Sequence, residues 1–108
     1  MIIYNVTINV DETIHTEWRE WMKTHIPQVL ATGLFTKALF TKVLVKEDMG
    51  GTTYSVQYHA NSQNALLQYQ NEFASKLQAD GLKRFGDKML AFRTELEIVD
   101  EFSVTKNR

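Results

Sequence analysis

Residues Ile2 to Val10 alternate without a break: Ile2, Tyr4, Val6, Ile8 and Val10 on one parity, Ile3, Asn5, Thr7 and Asn9 on the other. Strand side chains point alternately to two faces, so this period of two, rich in β-branched residues, predicts a strand with one apolar face. Such a strand needs a sheet beside it and an apolar layer over it. The residues that follow supply both. Asp11 is a helix N-cap, with Glu12 in the first turn where the dipole favours an anion. Ile14, Trp18, Trp21, Met22 and Ile26 recur at three- and four-residue spacing, the stripe of an amphipathic helix. Pro27 has no N–H and clashes with the preceding turn, so it is expected to break or restart that helix. Pro27 to Thr32 then reads as a short second helical piece, ended by Gly33.

Leu34 to Glu47 predicts a long strand, Met49-Gly50-Gly51 a turn, and Thr52 to Ala60 the hairpin partner. Asn61 or Ser62 caps the next helix, whose stripe runs Leu66, Tyr69, Phe73, Leu77, with Gly81 and Gly86 at its frayed end. Leu90 to Val99 is a final strand that Phe102 and Val104 are candidates to extend. The 108 residues are expected to form one α+β domain over 1–104, with 105–108 a loose tail. The order is β-α-β-β-α-β, the ferredoxin-like pattern: a four-stranded antiparallel sheet with two helices on one face.

Alternation also assigns the faces. Tyr4, Val6 and Ile8 belong with Tyr54, Val56 and Tyr58, and Leu90, Phe92, Leu96 and Ile98 are expected to join them beneath the helices. The reverse face would then carry Asn5, Thr7, Ser55, Gln57, His59, Arg93 and Glu95. The second strand is apolar at most positions on both parities from Ala38 to Val45, a stretch that is a candidate for a bulge. A strand apolar on both sides is expected where both are covered, which argues for a second copy over the reverse face.

Composition narrows the chemistry. Twelve basic against thirteen acidic residues give a formal charge of −1, no field for nucleic acid or acidic membrane. The absence of cysteine removes disulfides, zinc–thiolate sites and cysteine nucleophiles together. No run approaches the length of a membrane span, and the opening residues lack a basic region leading into an apolar stretch, so a cytoplasmic address is expected.

Several blocks in order resemble a bacterial family, domain-of-unknown-function family 4286. They are Met1 to Thr7, Trp18-Arg19-Glu20-Trp21-Met22, His25 to Gly33, Thr53 to Tyr58 and Gly81 to Lys88, spread over nearly the whole chain. In architecture the chain resembles the dimeric α+β barrel superfamily. That resemblance implies a homodimer with its sheets facing and an enclosed space for a small molecule. Superfamily members include cofactor-free monooxygenases, isomerases, haem-degrading enzymes and proteins without assigned chemistry, so the fold does not choose a reaction.

His25, immediately before Ile26-Pro27, is the candidate acid or base, because an unperturbed imidazole titrates near neutrality; the plain alternative is a helix-end residue favourable to the dipole. Asn5, Gln57, His59, Arg93 and Glu95 form the candidate ligand-binding set, which would serve equally as a network between copies. Trp18, Trp21, Tyr4, Tyr54 and Tyr58 read as core or interface aromatics. Lys83, Arg84 and Lys88 are explained by the helix C-terminus they surround. No metal or cofactor site is read: His15 and His25 are out of phase on a helix, and ligation of haem by a lone histidine has no specific support. RNA binding is not expected, since the aromatics of the first and third strands lie on the face that helices should cover. Two functions stay open: a homodimer that binds or transforms a small organic molecule between sheet and helices, and a non-catalytic sensor or interaction module whose sheet face serves only dimerisation.

Overall fold

The computed structural model describes residues 1–45, 48 and 50–105. Its elements are β1 (Ile2–Val10), α1 (His15–Leu30), β2 (Phe35–Lys42), β3 (Thr52–Ala60), α2 (Gln63–Glu72), α3 (Ala74–Phe85) and β4 (Met89–Glu97). The strands form one antiparallel sheet in the order β2-β3-β1-β4, leaving β2 and β4 as edges. β1 meets β3 in unbroken register, with Tyr4 opposite Tyr58, Val6 opposite Val56 and Ile8 opposite Tyr54. All six are buried, together with Trp18, Met22 and Val29 of α1 and Leu66 and Tyr69 of α2. Each such side chain removed from water stabilises the fold by about 1.5–3 kcal/mol.

Asp11 caps as its position implies, its carboxylate accepting from the Thr13 N–H at 2.9 Å, though it caps a 3-10 turn, Glu12–Ile14, that leads into α1. Those bonds from Thr13 hold the Asp11 carboxyl below its ordinary range. Pro27 does not break the helix. α1 runs through it to Leu30, and the Ala31 N–H donates to the Pro27 carbonyl at 2.8 Å. Pro27 and Lys23, whose carbonyl loses its partner, are both exposed, so water can satisfy the freed group. Ser62, not Asn61, caps α2 by accepting from the Ala65 N–H, while the Asn61 amide donates to the Gly33 carbonyl. The expected single second helix is divided at Phe73, yet bonds from Phe73 to Tyr69 and from Leu77 to Phe73 carry the ladder across. Gly81 is not at a frayed end. It lies buried inside α3, where an added Cβ would stand 2.7 Å from the Trp21 indole.

The second strand is shorter than expected. β2 ends at Lys42, and among the described residues Val43 is the last bonded to β3, through the Thr53 carbonyl. Lys46, Glu47 and Met49, which complete the expected strand and turn, lie outside the described residues, as do 106–108 of the tail. The bulge expected within Ala38 to Val45 is not where β2 is irregular: pairing from Ala38 to Lys42 is continuous, and the register shift lies earlier, between Phe35 and Lys37. Phe102 and Val104 do not extend β4: the last bond to β1 is from the Ile98 N–H to the Met1 carbonyl, and both side chains are exposed. Among the described residues no helix is long and apolar enough to cross a membrane.

The main correction concerns β4. Its register pairs Ile8 with Ala91, Val6 with Arg93 and Tyr4 with Glu95. Residues directly opposite share a face, so Met89, Ala91, Arg93 and Glu95 lie on the helix side. Leu90, Phe92 and Leu96 lie on the reverse side with Asn5 and Thr7, exposed in the single chain, Phe92 by 59%. The alternation of an edge strand shows which of its faces is apolar. It does not show which of them the helices cover.

Gly51 turns into β3 with φ of +71° and a virtual Cβ 2.5 Å from the Val10 carbonyl oxygen. Both backbone conformation and space exclude a side chain there. Gly51→Ala is therefore expected to destabilise the chain by about 1–3 kcal/mol, read as a lower midpoint in chemical denaturation.

Candidate functional site

The helices do not close fully onto the sheet. Between them lies a cavity of about 270 Å³, floored by Tyr4, Val6, Val56 and Tyr58, with Arg93 at the β4 side. Trp21, Met22 and His25 of α1, Tyr69 of α2 and Gln78 and Leu82 of α3 form its roof and sides. Leu82 and Arg93 are both exposed, so the rim runs between α3 and the edge strand.

Four-residue spacing puts Trp21 and His25 on one face of α1, one turn apart. Their rings stack, with centroids 4.3 Å apart and planes 16° from parallel. The indole N–H donates to the Asp80 carboxylate at 2.7 Å, and Gly81 leaves room for the ring against α3. The stack is thus held from the far side while His25 faces the cavity and an outer cleft. The His25 Nδ1 is buried with no hydrogen-bond partner, the only buried side-chain polar atom so left among the described residues. Burial pushes the His25 pKa down to about 4, with the Arg93 charge adding and Asp80 opposing. At neutral pH the ring is uncharged, with one nitrogen a donor and the other an acceptor.

The phenols of Tyr4, Tyr58 and Tyr69 converge on the same space; Tyr4 has its ring centroid 6.1 Å from Tyr58 and 6.0 Å from Tyr69. Burial raises all three pKa values, Tyr69 to about 12, with Arg93 opposing each rise and Gln78 opposing those of Tyr4 and Tyr69. They stay protonated and can donate hydrogen bonds. Arg93 has no ion-pair partner among the described residues. Glu95, two residues along, accepts instead from the Gln70 amide at 3.1 Å.

The register separates the residues grouped by sequence. His25 and Arg93 line the cavity together. Glu95 shares the helix-side face but lies outside the cavity lining. Asn5, Gln57 and His59 lie on the reverse face, where Asn5 accepts from the Ser55 hydroxyl at 2.6 Å and donates to that of Thr7. The expectation of one polar face holding all five is therefore corrected: β4 turns its charged residues toward the helices. His15 is engaged separately, 2.6 Å from the Tyr54 hydroxyl. Among the described residues no three His, Asp or Glu side chains converge as metal ligands would. Sequence reasoning missed Gln78, read Trp21, Tyr4 and Tyr58 as core or interface aromatics, and placed Tyr69 in the apolar stripe of a helix. Gln78 had a signal: it stands at i, i+4 and i+7 spacing with Leu82 and Phe85, a carboxamide in line with an apolar stripe.

The chain belongs to the family described as Domain of unknown function (DUF4286), whose model matches residues 1–99. No curated protein is significantly similar to it. Among solved structures, a protein from Arabidopsis thaliana is 16% identical, with a TM-score of 0.67, 98% of this chain covered and 100% of that one. A mutant of MhuD with two manganese protoporphyrin IX molecules per active site is 16% identical, with a TM-score of 0.66 and coverage of 96% and 100%. A dimeric ferredoxin-like protein from an uncultured marine organism is 15% identical, with a TM-score of 0.65 and coverage of 95% and 98%. These likenesses establish the ferredoxin-like α+β fold.

His25 carries a pH signature. The folded chain takes up its proton only near pH 4, the unfolded chain near 6.5, so acid favours unfolding across that interval. Stability from this group is complete above pH 6.5 and falls as the pH drops toward 4, by at most about 3 kcal/mol. His25→Phe keeps an aromatic ring on Trp21 and should flatten that part of the pH profile in chemical denaturation. An unchanged slope would assign it to other groups.

Proposed function

We propose that this member of the DUF4286 family binds a small organic molecule in the cavity between sheet and helices, working as a homodimer joined through the reverse sheet face. The observation that carries this reading is an aromatic-walled space of about 270 Å³ whose lining joins the His25 ring of α1 to the Arg93 guanidinium of β4. Few polar groups converging on a mostly apolar concavity is the usual composition of a small-molecule site. The space corresponds to roughly nine waters at their share of liquid volume, near the lower end for small-molecule sites.

Binding is favoured over proton-transfer catalysis by the state of the same ring. An imidazole whose pKa is pushed to about 4 is a weak proton acceptor at neutral pH. The reading is therefore a ligand-holding protein first, with the non-catalytic sensor the natural form of it. Pairing between copies rests on Leu39, Leu90, Phe92 and Leu96, all exposed on the reverse face of the single chain. A similar ferredoxin-like protein is described as dimeric. Covering such a patch is the usual reason for one of its kind.

Two measurements test this. Trp21 lines the cavity, so its fluorescence should respond to small aromatic compounds that stabilise the chain against heat. A screen in which no compound shifts either signal would remove the binding reading. Light scattering should give twice the chain mass, and Phe92→Glu should give a monomer at micromolar concentration, because it places a charge in the apolar patch. A wild-type monomer would remove the pairing.

A further inference from the structure

The charges around the cavity specify its occupant further, on the premise that the cavity binds a ligand at all. Arg93 is its one formally charged lining group. The nearby carboxylates lie outside the lining, where Asp80 accepts from the Trp21 indole and Glu95 from Gln70; both keep their charge, felt at His25 and Tyr4, but neither pairs with Arg93. The other polar groups facing the space are the His25 imidazole, three phenols and the Gln78 amide, none of which supplies a negative charge. The lining therefore carries one positive charge with no counter-charge of its own, near low-dielectric walls where an ion interacts more strongly than in water.

The walls define the rest. Four aromatic residues, Trp21, Tyr4, Tyr58 and Tyr69, line the space together with the apolar Val6, Val56 and Met22. Aromatic groups meet such rings in offset or edge-on contacts, gaining more than their buried area alone. The volume suits a single ring. A guanidinium binds a carboxylate through two parallel N–H···O bonds, a geometry that also fixes orientation.

We propose that the cavity takes a small single-ring aromatic carboxylate, its charged end on Arg93 at the rim and its ring among Trp21, Tyr4, Tyr58 and Tyr69. A hydroxyl at the far end of the ring would meet the His25 imidazole, which lines the same cavity. 4-Hydroxybenzoate is the simplest compound with both features, benzoate has the first alone, and benzamide is its uncharged counterpart.

Titration calorimetry of the purified chain with these three compounds tests the proposal. Benzoate should bind about tenfold or more tightly than benzamide, the range expected of a charge-assisted hydrogen-bond pair. 4-Hydroxybenzoate should bind more tightly than benzoate, and His25→Phe should abolish that difference. Arg93→Gln should remove the preference for benzoate over benzamide; Arg93→Lys should restore part of it. Arg93 is exposed on an edge strand, so these variants are expected to fold, checked by an unchanged denaturation midpoint. Equal binding of benzoate and benzamide, or a preference that survives Arg93→Gln, would overturn the carboxylate while leaving a ligand-binding cavity. If all three fail to bind at millimolar concentration, the carboxylate proposal falls, and the broader compound screen then decides whether the cavity binds anything.

Discussion

The hydrogen-bonded register between β1 and β4 is the constraint on which the rest of this structure depends. By setting Arg93 opposite Val6 and Ala91 opposite Ile8, it brings a guanidinium onto the face that holds Tyr4 and Tyr58. The same register turns Leu90, Phe92 and Leu96 to the reverse side. A shift of one residue would exchange these sets, since strand side chains alternate with a period of two. Cavity chemistry and exposed apolar patch therefore share one cause. One edge strand serves two surfaces, with charge toward the helices and apolar bulk away from them.

The cavity is kept open by how α1 and α3 meet. Gly81 lets the Trp21 indole lie directly against α3, and Asp80, its neighbour in sequence, holds the indole N–H. That anchors a stack whose other member, His25, is buried without a partner. The phenols opposite are kept neutral by the same burial. The lining thus combines neutral donors and acceptors with one cation at its edge.

Much of the fold was legible because its signals repeat. Five apolar positions of β1 and the stripe from Ile14 to Ile26 each declare a period several times over. Signals carried by single residues fared differently. Pro27 is a strong breaker in isolation, but an exposed place near the end of α1 lets water take the freed carbonyl. Gly81 resembled a helix end and proved to be a contact surface for Trp21. Of the candidate site, His25, His59 and Arg93 were expected near one small molecule, and the cavity is lined by His25 and Arg93 without His59. Asn5, Gln57 and His59 were grouped with Arg93 through a parity the register inverts.

Taken alone, the sequence determined the order of strands and helical segments and the apolar side of those with a clear period, because local periodicity and caps act over a few residues and leave their pattern in the chain. Tertiary structure decided what each apolar side faces, since that depends on pairing between strands distant in sequence and on the distance at which the helices rest. The alternation of β4 would read identically with Phe92 under the helices or turned away from them. Only the bonds to β1 distinguish the two, and with them place Arg93 beside the cavity.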